Sequence, residues 1–254
     1  MLDVGGVRIE TRWIGAPRAG TPTLVFLHEG LGSITQWRTT PDAIASATGW
    51  PAFVYARPGY GKSSPVAVPR PLTYMHDEAA RLPAVLAAAG IEDAVLIGHS
   101  DGASIAIIAT GRQLVRPCAL VLIAPHVFVE DVSVESIARA ADAYRTSDLR
   151  ARLARHHVDV DGAFWGWNRA WLDPGFRSWN LEEFLPRITA RTLVVQGDRD
   201  EYGTSAQVDA IARQLGGPVE VAWIAGAGHA PFRDAPDEVH ARIATFVTAA
   251  CAGR

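Results

Sequence analysis

One serine in this chain sits where its hydroxyl could act as a nucleophile. Gly98-His99-Ser100-Asp101-Gly102 follows a short apolar run at 94–97 and opens a helical pattern. A chain that turns this sharply from strand to helix holds the central serine in a strained conformation with its hydroxyl at the tip. A side chain at 98 or 102 would clash with the neighbouring backbone. The same turn aims the Asp101 N–H, at a helix N-terminus, toward the place where an oxyanion would form. A serine hydroxyl is a weak nucleophile at neutral pH, so this chemistry needs a base and a group to orient it. His99 is adjacent, but neighbours across such a turn point apart. It is expected to pack in support rather than to take the proton.

Other clusters point less well to chemistry. His156-His157-Val158-Asp159-Val160-Asp161 has a spacing that could suggest metal ligands, but no third ligand cluster lies nearby, and it reads as a solvated helix end. His76-Asp77-Glu78 begins a helical pattern, where acidic residues suit the dipole. Gly61-Lys62-Ser63 looks like the end of a phosphate-binding loop, but the first glycine that motif requires would be residue 56, which is Ala56. No metal and no cofactor is implied.

The elements that must position these residues follow a rhythm. Short apolar runs lie at 23–27, 52–56, 94–97, 120–124, 192–196 and 219–224. Most are continuously apolar, as parallel strands buried on both faces are. Alanine-rich helical patterns at 74–89, 100–114, 205–215 and 238–250 alternate with them. The alternation predicts an α/β fold, with helices on both faces of a mostly parallel sheet of about eight strands. Residues 3–14 alternate around Gly5-Gly6 and read as an antiparallel edge hairpin. From 126 to 187 there is no convincing strand, and Ser133 and Ser147 stand as helix-capping candidates. Some sixty residues are too many for a bare loop. The expected organisation is a core of 1–125 and 188–254 with a helical cap, 126–187, inserted after the sixth strand.

Composition narrows the function classes. The chain has 254 residues, 48% apolar and 20% charged, enough to bury a large core. A net charge of −3 leaves no basic excess for neutralising phosphates, so nucleic acid is not an expected partner. Residues 1–10 lack the pattern of a secretory signal, and no 18-residue apolar stretch predicts a membrane span. Cys118 and Cys251 are far apart in sequence and make neither a disulfide framework nor a zinc site. The expectation is a cytoplasmic monomer or homodimer.

The chain resembles the α/β-hydrolase family through five segments: the Ser100 turn, His28-Glu29-Gly30-Leu31-Gly32-Ser33, Arg57-Pro58-Gly59-Tyr60-Gly61-Lys62-Ser63, Gln196-Gly197-Asp198-Arg199-Asp200 and Gly226-Ala227-Gly228-His229. The resemblance implies that Ser100 is the nucleophile, Asp200 the acid and His229 the base, in that family's chain order. Asp198 is the weaker acid candidate and Asp131 a distant third. It also implies a second oxyanion N–H from Gly30, beside that of Asp101. Glu29 departs from the family, which usually has glycine there. A carboxylate opposes developing negative charge, so its side chain should point away or be paired, with Arg57 as a candidate partner.

The implied activity is hydrolysis of a small carboxylic ester, lactone or thioester through an acyl-enzyme. Acyl transfer and C–C bond hydrolysis on the same triad, or a ligand receptor that kept the fold, are the alternatives. Members with halide or epoxide chemistry carry aspartate at the turn, and here the residue is Ser100. C–C hydrolases often have tryptophan after the histidine, where this chain has Ala230. Aromatic residues crowd the insertion, and Phe164, Trp167 and Trp171 share a helix face by spacing. With Leu31 and Ala230 they are the expected walls of the substrate pocket.

Overall fold

The sheet grows outward from strands that have no polar face. In the computed structural model, which describes residues 1–252, eight strands are ordered β1-β2-β4-β3-β5-β6-β7-β8. They are β1 (Leu2–Val4), β2 (Val7–Ile14), β3 (Thr23–Leu27), β4 (Ala52–Ala56), β5 (Ala94–His99), β6 (Ala119–Ile123), β7 (Arg191–Gly197) and β8 (Val219–Ile224). The first two form the expected hairpin, β2 pairs antiparallel with β4, and every pairing from β4 to β8 is parallel. The inner strands β3, β4, β5 and β6 are buried at every position.

Alternate residues of each inner strand feed opposite layers. Leu24, Phe26, Val95, Ile97, Val121 and Ile123 meet Ile44 of α1 (Thr40–Thr48) and Val239, Ile243 and Val247 of the C-terminal helix. Val25, Leu27, Leu96, Leu120 and Leu122 face the other layer, formed with Leu82 of α2 (Tyr74–Ala88), Ile105 and Ile108 of α3 (Asp101–Gly111) and the insertion. Helix α3 lies under the insertion, and all eleven of its residues are buried.

Between β6 and β7 lie α4 (Asp131–Thr146), α5 (Leu149–Leu153), α6 (Val160–Leu172) and the 3₁₀ turns Pro174–Ser178 and Glu182–Arg187. The ends of this segment are stitched together, since the Leu181 N–H donates to the Val127 carbonyl at 2.7 Å. Ser133 and Ser147 are not N-caps. Ser133 lies within α4 and its hydroxyl donates to the Tyr202 carbonyl, while Ser147 ends that helix. The His156-His157 pair is not a solvated helix end either. His157 is buried; its Nδ1 accepts from the Gly61 N–H at 3.0 Å and its Nε2 donates to the Leu31 carbonyl at 2.9 Å, tying the insertion to two core loops.

The chain closes with α7 (Ser205–Gln214), the short α8 (Pro231–Asp234) and α9 (Pro236–Ala250). The cysteines depart from expectation: Cys118 and Cys251 form a disulfide. Cys118 immediately precedes β6 and Cys251 follows α9, so folding brings together residues 133 positions apart. An oxidising environment favours such a bond, which removes one ground for expecting a cytoplasmic protein. None of the described helices is long and apolar enough to cross a membrane. A cross-link over a loop this long typically contributes ~2–4 kcal/mol. At roughly 2–4 °C per kcal/mol for a chain of this size, Cys251→Ser should lower the melting temperature by about 5–15 °C. Calorimetry with and without reductant checks this, since reductant should lower the wild-type value and leave the variant unmoved.

Candidate active site

Ser100 stands alone between β5 and α3 with φ 53° and ψ −120°, a conformation that L side chains rarely adopt. The glycines around it are required by close approach. A Cβ on Gly98 would come within 2.6 Å of the Ala103 backbone, and one on Gly102 would strike the Leu27 carbonyl. The Ser100 N–H is held by the Ile123 carbonyl at 2.9 Å, so the turn is anchored to the neighbouring strand. Among the described residues the Ser100 hydroxyl makes no hydrogen bond, and it borders a cavity that His229 also borders.

Asp200 and His229 come from loops after β7 and β8. His229 Nδ1 lies 2.9 Å from both Asp200 oxygens. Asp200 also accepts from Gln196 Nε2 at 2.7 Å and from the Tyr202 N–H at 2.8 Å, which fixes its plane. Burial pushes the Asp200 carboxyl up, but the His229 hydrogen bond and charge, with the Tyr202 N–H, outweigh it and hold the group at about 2. Burial likewise disfavours the His229 imidazolium, yet Asp200, Glu29 and Glu201 outweigh burial and raise this imidazole above its ordinary range. The other acid candidates are elsewhere. Asp198 accepts from the Gly226 N–H, and Asp131 pairs with Arg177 at the surface. His99 donates through Nε2 to the His229 carbonyl at 2.8 Å, and burial lowers it to about 4, so it is neutral.

The N–H groups of Gly30 and Asp101 have no partner among the described residues, and both residues line the cavity. The Gly30 N–H owes its direction to the carbonyl on the other side of the same peptide plane. The Glu29 carbonyl accepts from Arg57 Nη2 at 2.8 Å, from the Gly32 N–H at 3.0 Å and from His28 Nδ1 at 2.7 Å. In a trans peptide this turns the Gly30 N–H the opposite way. Arg57 is therefore not the partner of the Glu29 carboxylate. That partner is Arg233 of α8, at 3.0 Å.

The cavity is small, ≈ 60 Å³, and lies between the strand ends and the insertion. Of the candidate wall residues, Leu31, Trp167 and Trp171 line it. Phe164 and Ala230 do not: Phe164 stacks on Tyr144 of α4 at 3.8 Å, inside the insertion, and Ala230 lies outside the lining. His126, Ser133, Ile137 and Tyr202 line it and escaped the sequence reading. His126 had a usable signal, since it follows the C-terminal end of a parallel strand, where ligands of such sheets bind. Glu29, His99 and His229 bring ligand-capable atoms within 4.8 Å of one another. All three side chains are engaged, by Arg233, the His229 carbonyl and Asp200 respectively.

A model of the alpha/beta hydrolase family matches residues 24–242. No curated protein matches the chain. Among solved structures, a proline iminopeptidase of Mycobacterium smegmatis superposes with TM-score 0.76 at 19% identity, over 98% of this chain and 97% of that one. An enol-lactonase of Burkholderia xenovorans gives 0.76 at 19%, over 96% and 98%. An esterase of Exiguobacterium antarcticum gives 0.75 at 19%, over 96% and 97%. At these identities the likeness is one of fold.

The charge around His229 carries its own prediction. Glu29 and Asp200 both favour the imidazolium, so neutralising either should let His229 lose its proton at lower pH. An NMR titration should show the midpoint falling in Glu29→Gln and in Asp200→Asn. An unchanged midpoint in Glu29→Gln would remove that carboxylate from the electrostatics of the site.

Proposed function

The chain belongs to the alpha/beta hydrolase family, and from that premise we propose that it hydrolyses a small carboxylic ester through an acyl-enzyme on Ser100. The observation that carries the reading is the Asp200–His229 pair, closed at 2.9 Å, on the same cavity as a serine held at positive φ. His229 Nε2 takes the proton of Ser100 Oγ as the oxygen attacks the ester carbonyl. Asp200 stabilises the imidazolium that forms and keeps Nε2 facing the serine. The tetrahedral oxyanion is held by the Gly30 and Asp101 N–H groups, each donor of this kind contributing ~3 kcal/mol to the transition state. The C–O bond breaks, and His229 returns the proton to the departing alcohol. Water, deprotonated by His229, then attacks the acyl-enzyme, releasing the acid and restoring Ser100.

Among the described residues the serine–imidazole hydrogen bond is the one protein contact of this relay that is not closed. Such bonds often tighten only in the substrate complex. Cavity walls of Leu31, Ile137, Trp167 and Trp171 suit an apolar acyl or alcohol group, with the helical insertion acting as a cap that limits its size. The cap comes close at Gly30, where a Cβ would strike the Trp167 indole. Similar folds carry the names peptidase, lactonase and esterase. Ester cleavage is favoured over cleavage beside a substrate amine because, among the described residues, no acidic group of the insertion lines the cavity to receive that amine.

A fluorophosphonate probe should label wild type and not Ser100→Ala. Ser100→Ala should cost several orders of magnitude in kcat on p-nitrophenyl esters without loss of folding. Asp200→Asn should lower kcat by about 10⁴. Because His229 must be neutral to act and its proton is held above the ordinary imidazole range, kcat/KM should fall as pH drops through that raised value. A folded protein that takes no probe, or a rate flat from about pH 5 to 8, would refute the assignment.

A further inference from the structure

His126 is a buried imidazole for which the relay above has no use. It is 3% exposed, and burial, reinforced by the charge of His229, lowers it to about 3, so it stays neutral. Its ring lies 5.6 Å from that of His229 and 5.4 Å from that of Trp171, on the same cavity as Ser100. Neither ring nitrogen has a partner among the described residues. Nδ1 is fully enclosed and lies on the side of Gly203, where an added Cβ would stand 3.6 Å from it. Nε2 is the ring nitrogen that is not fully enclosed, in a residue that lines the cavity.

The fold holds this ring firmly. The His126 carbonyl accepts from the buried Ser104 hydroxyl of α3 at 2.7 Å, and the next N–H, of Val127, donates to the buried Gln207 Oε1 of α7 at 2.7 Å. Two residues earlier, Ala124 has φ 45°, one of four non-glycine residues with positive φ among the described residues, Ser100 being another. Such a conformation persists only where its surroundings impose it. A buried polar group that is held in place and left without a partner calls for a reason, and one reason is a ligand that supplies the partner.

Enclosed N–H groups without an acceptor are rarer than enclosed acceptors without a donor. That preference puts the lone pair on Nδ1 and the proton on Nε2. We propose that His126 is a specificity-determining residue whose Nε2–H donates to an oxygen acceptor on the substrate, a second one beyond the ester being cleaved. The ligand class is therefore a carboxylic ester with a keto or ether oxygen on its acyl or alcohol arm. A site built for such a bond discriminates against an analogue that lacks the oxygen, because binding the analogue leaves the buried donor unpaired. The inference rests on the ester-hydrolase reading of Ser100 and His229.

The test compares matched esters within each variant, so that changes in overall activity cancel. On the acyl arm, p-nitrophenyl pentanoate is set against its 3-methoxy and 4-oxo analogues. On the alcohol arm, ethyl pentanoate is set against 2-methoxyethyl pentanoate. The kcat/KM of at least one oxygenated ester, relative to its plain partner and corrected for the rates with hydroxide, should exceed unity by tenfold or more in wild type. That ratio should collapse toward unity in His126→Phe and be partly kept in His126→Gln, whose amide still donates. No preference in wild type, or one that survives in a folded His126→Phe, overturns the proposal. If Phe does not fold, loss of the preference in His126→Gln as complete as in His126→Leu overturns it equally. Should wild type hydrolyse no ester and take no fluorophosphonate, the ester-hydrolase reading fails and this proposal with it; cleavage of plain and oxygenated esters at equal rates sinks this proposal alone.

Discussion

A guanidinium without access to solvent sits where the loops of the site meet. Arg57, just after β4, is 0% exposed. It donates to the Glu29 carbonyl, lies over the Tyr60 ring at 4.9 Å and stands 4.0 Å from the Asp101 carboxylate. At that separation the attraction is about 4 kcal/mol for an effective dielectric near 20, whereas desolvation costs several kcal/mol for each ion. The pair alone does not offset its burial. Further compensation comes from the His28 and Glu29 carbonyls, both reached by Nη2, from the aromatic face and from the hydrogen bonds that Asp101 receives, while Nε and Nη1 are buried without a partner among the described residues. Removing either partner strands the other, so the two residues are bound to the same geometry. That geometry couples the peptide carrying the Gly30 N–H to the residue after Ser100, so both unpaired donors are set by one ion pair.

The same carboxylate reaches the insertion. Asp101 accepts from the Tyr74 hydroxyl of α2 at 2.6 Å and from Trp171 Nε1 of α6 at 3.3 Å, and Trp171 Nε1 also lies 3.0 Å from the Tyr74 hydroxyl. Trp171 is a wall of the cavity. The side chain of Asp101 thus registers the roof while its backbone N–H has no partner among the described residues. With His157 fastened to the loops at Leu31 and Gly61, the insertion is tied to the core by directional bonds on two sides. Dispersion among the tryptophans adds area, but it does not fix a direction. The hydrogen bonds do, and they explain how a chain segment without strands can hold a cavity wall in place.

The parts legible in the sequence were those that a local rule determines. Strand runs at 23–27, 52–56 and 219–224 agree with the structure to the residue, because short runs rich in apolar and β-branched residues and bounded by turns leave few other readings. Asp200 and His229 were singled out through the family resemblance, and the structure brings these two side chains together at 2.9 Å in the loops that follow β7 and β8. Errors gathered where partners come from distant segments. Nothing near Glu29 in sequence points to Arg233, 204 residues away. Nothing near Cys118 points to Cys251. Helical spacing put Phe164 on a face with Trp167 and Trp171, but spacing cannot say that the face bends around Tyr144 so that only the last two reach the cavity. His157 looked like one end of a polar run. Its burial follows from the meeting of two loops with the insertion, which is a property of the tertiary fold.

Glu29 shows how a locally unfavourable residue is accommodated. Its carboxylate adjoins the peptide whose N–H faces the cavity, where negative charge opposes an oxyanion. Burial raises the cost of ionising it, yet the charge and hydrogen bond of Arg233, with the charge of His229, help hold its carboxyl below the ordinary range. Arg233 takes one carboxylate oxygen and also donates to the Gln36 carbonyl at 3.0 Å, so the cation is itself positioned. The charge left over falls near the two imidazoles, of which only His229 is raised toward protonation. A negative group there has opposite effects on two partners of the proposed reaction. It opposes the oxyanion, and it favours the imidazolium that forms in the same step. Arg233, paired with the carboxylate at 3.0 Å, reduces both effects. The balance between them depends on the Glu29–Arg233 contact staying closed, and that contact lies on α8, directly after the His229 loop.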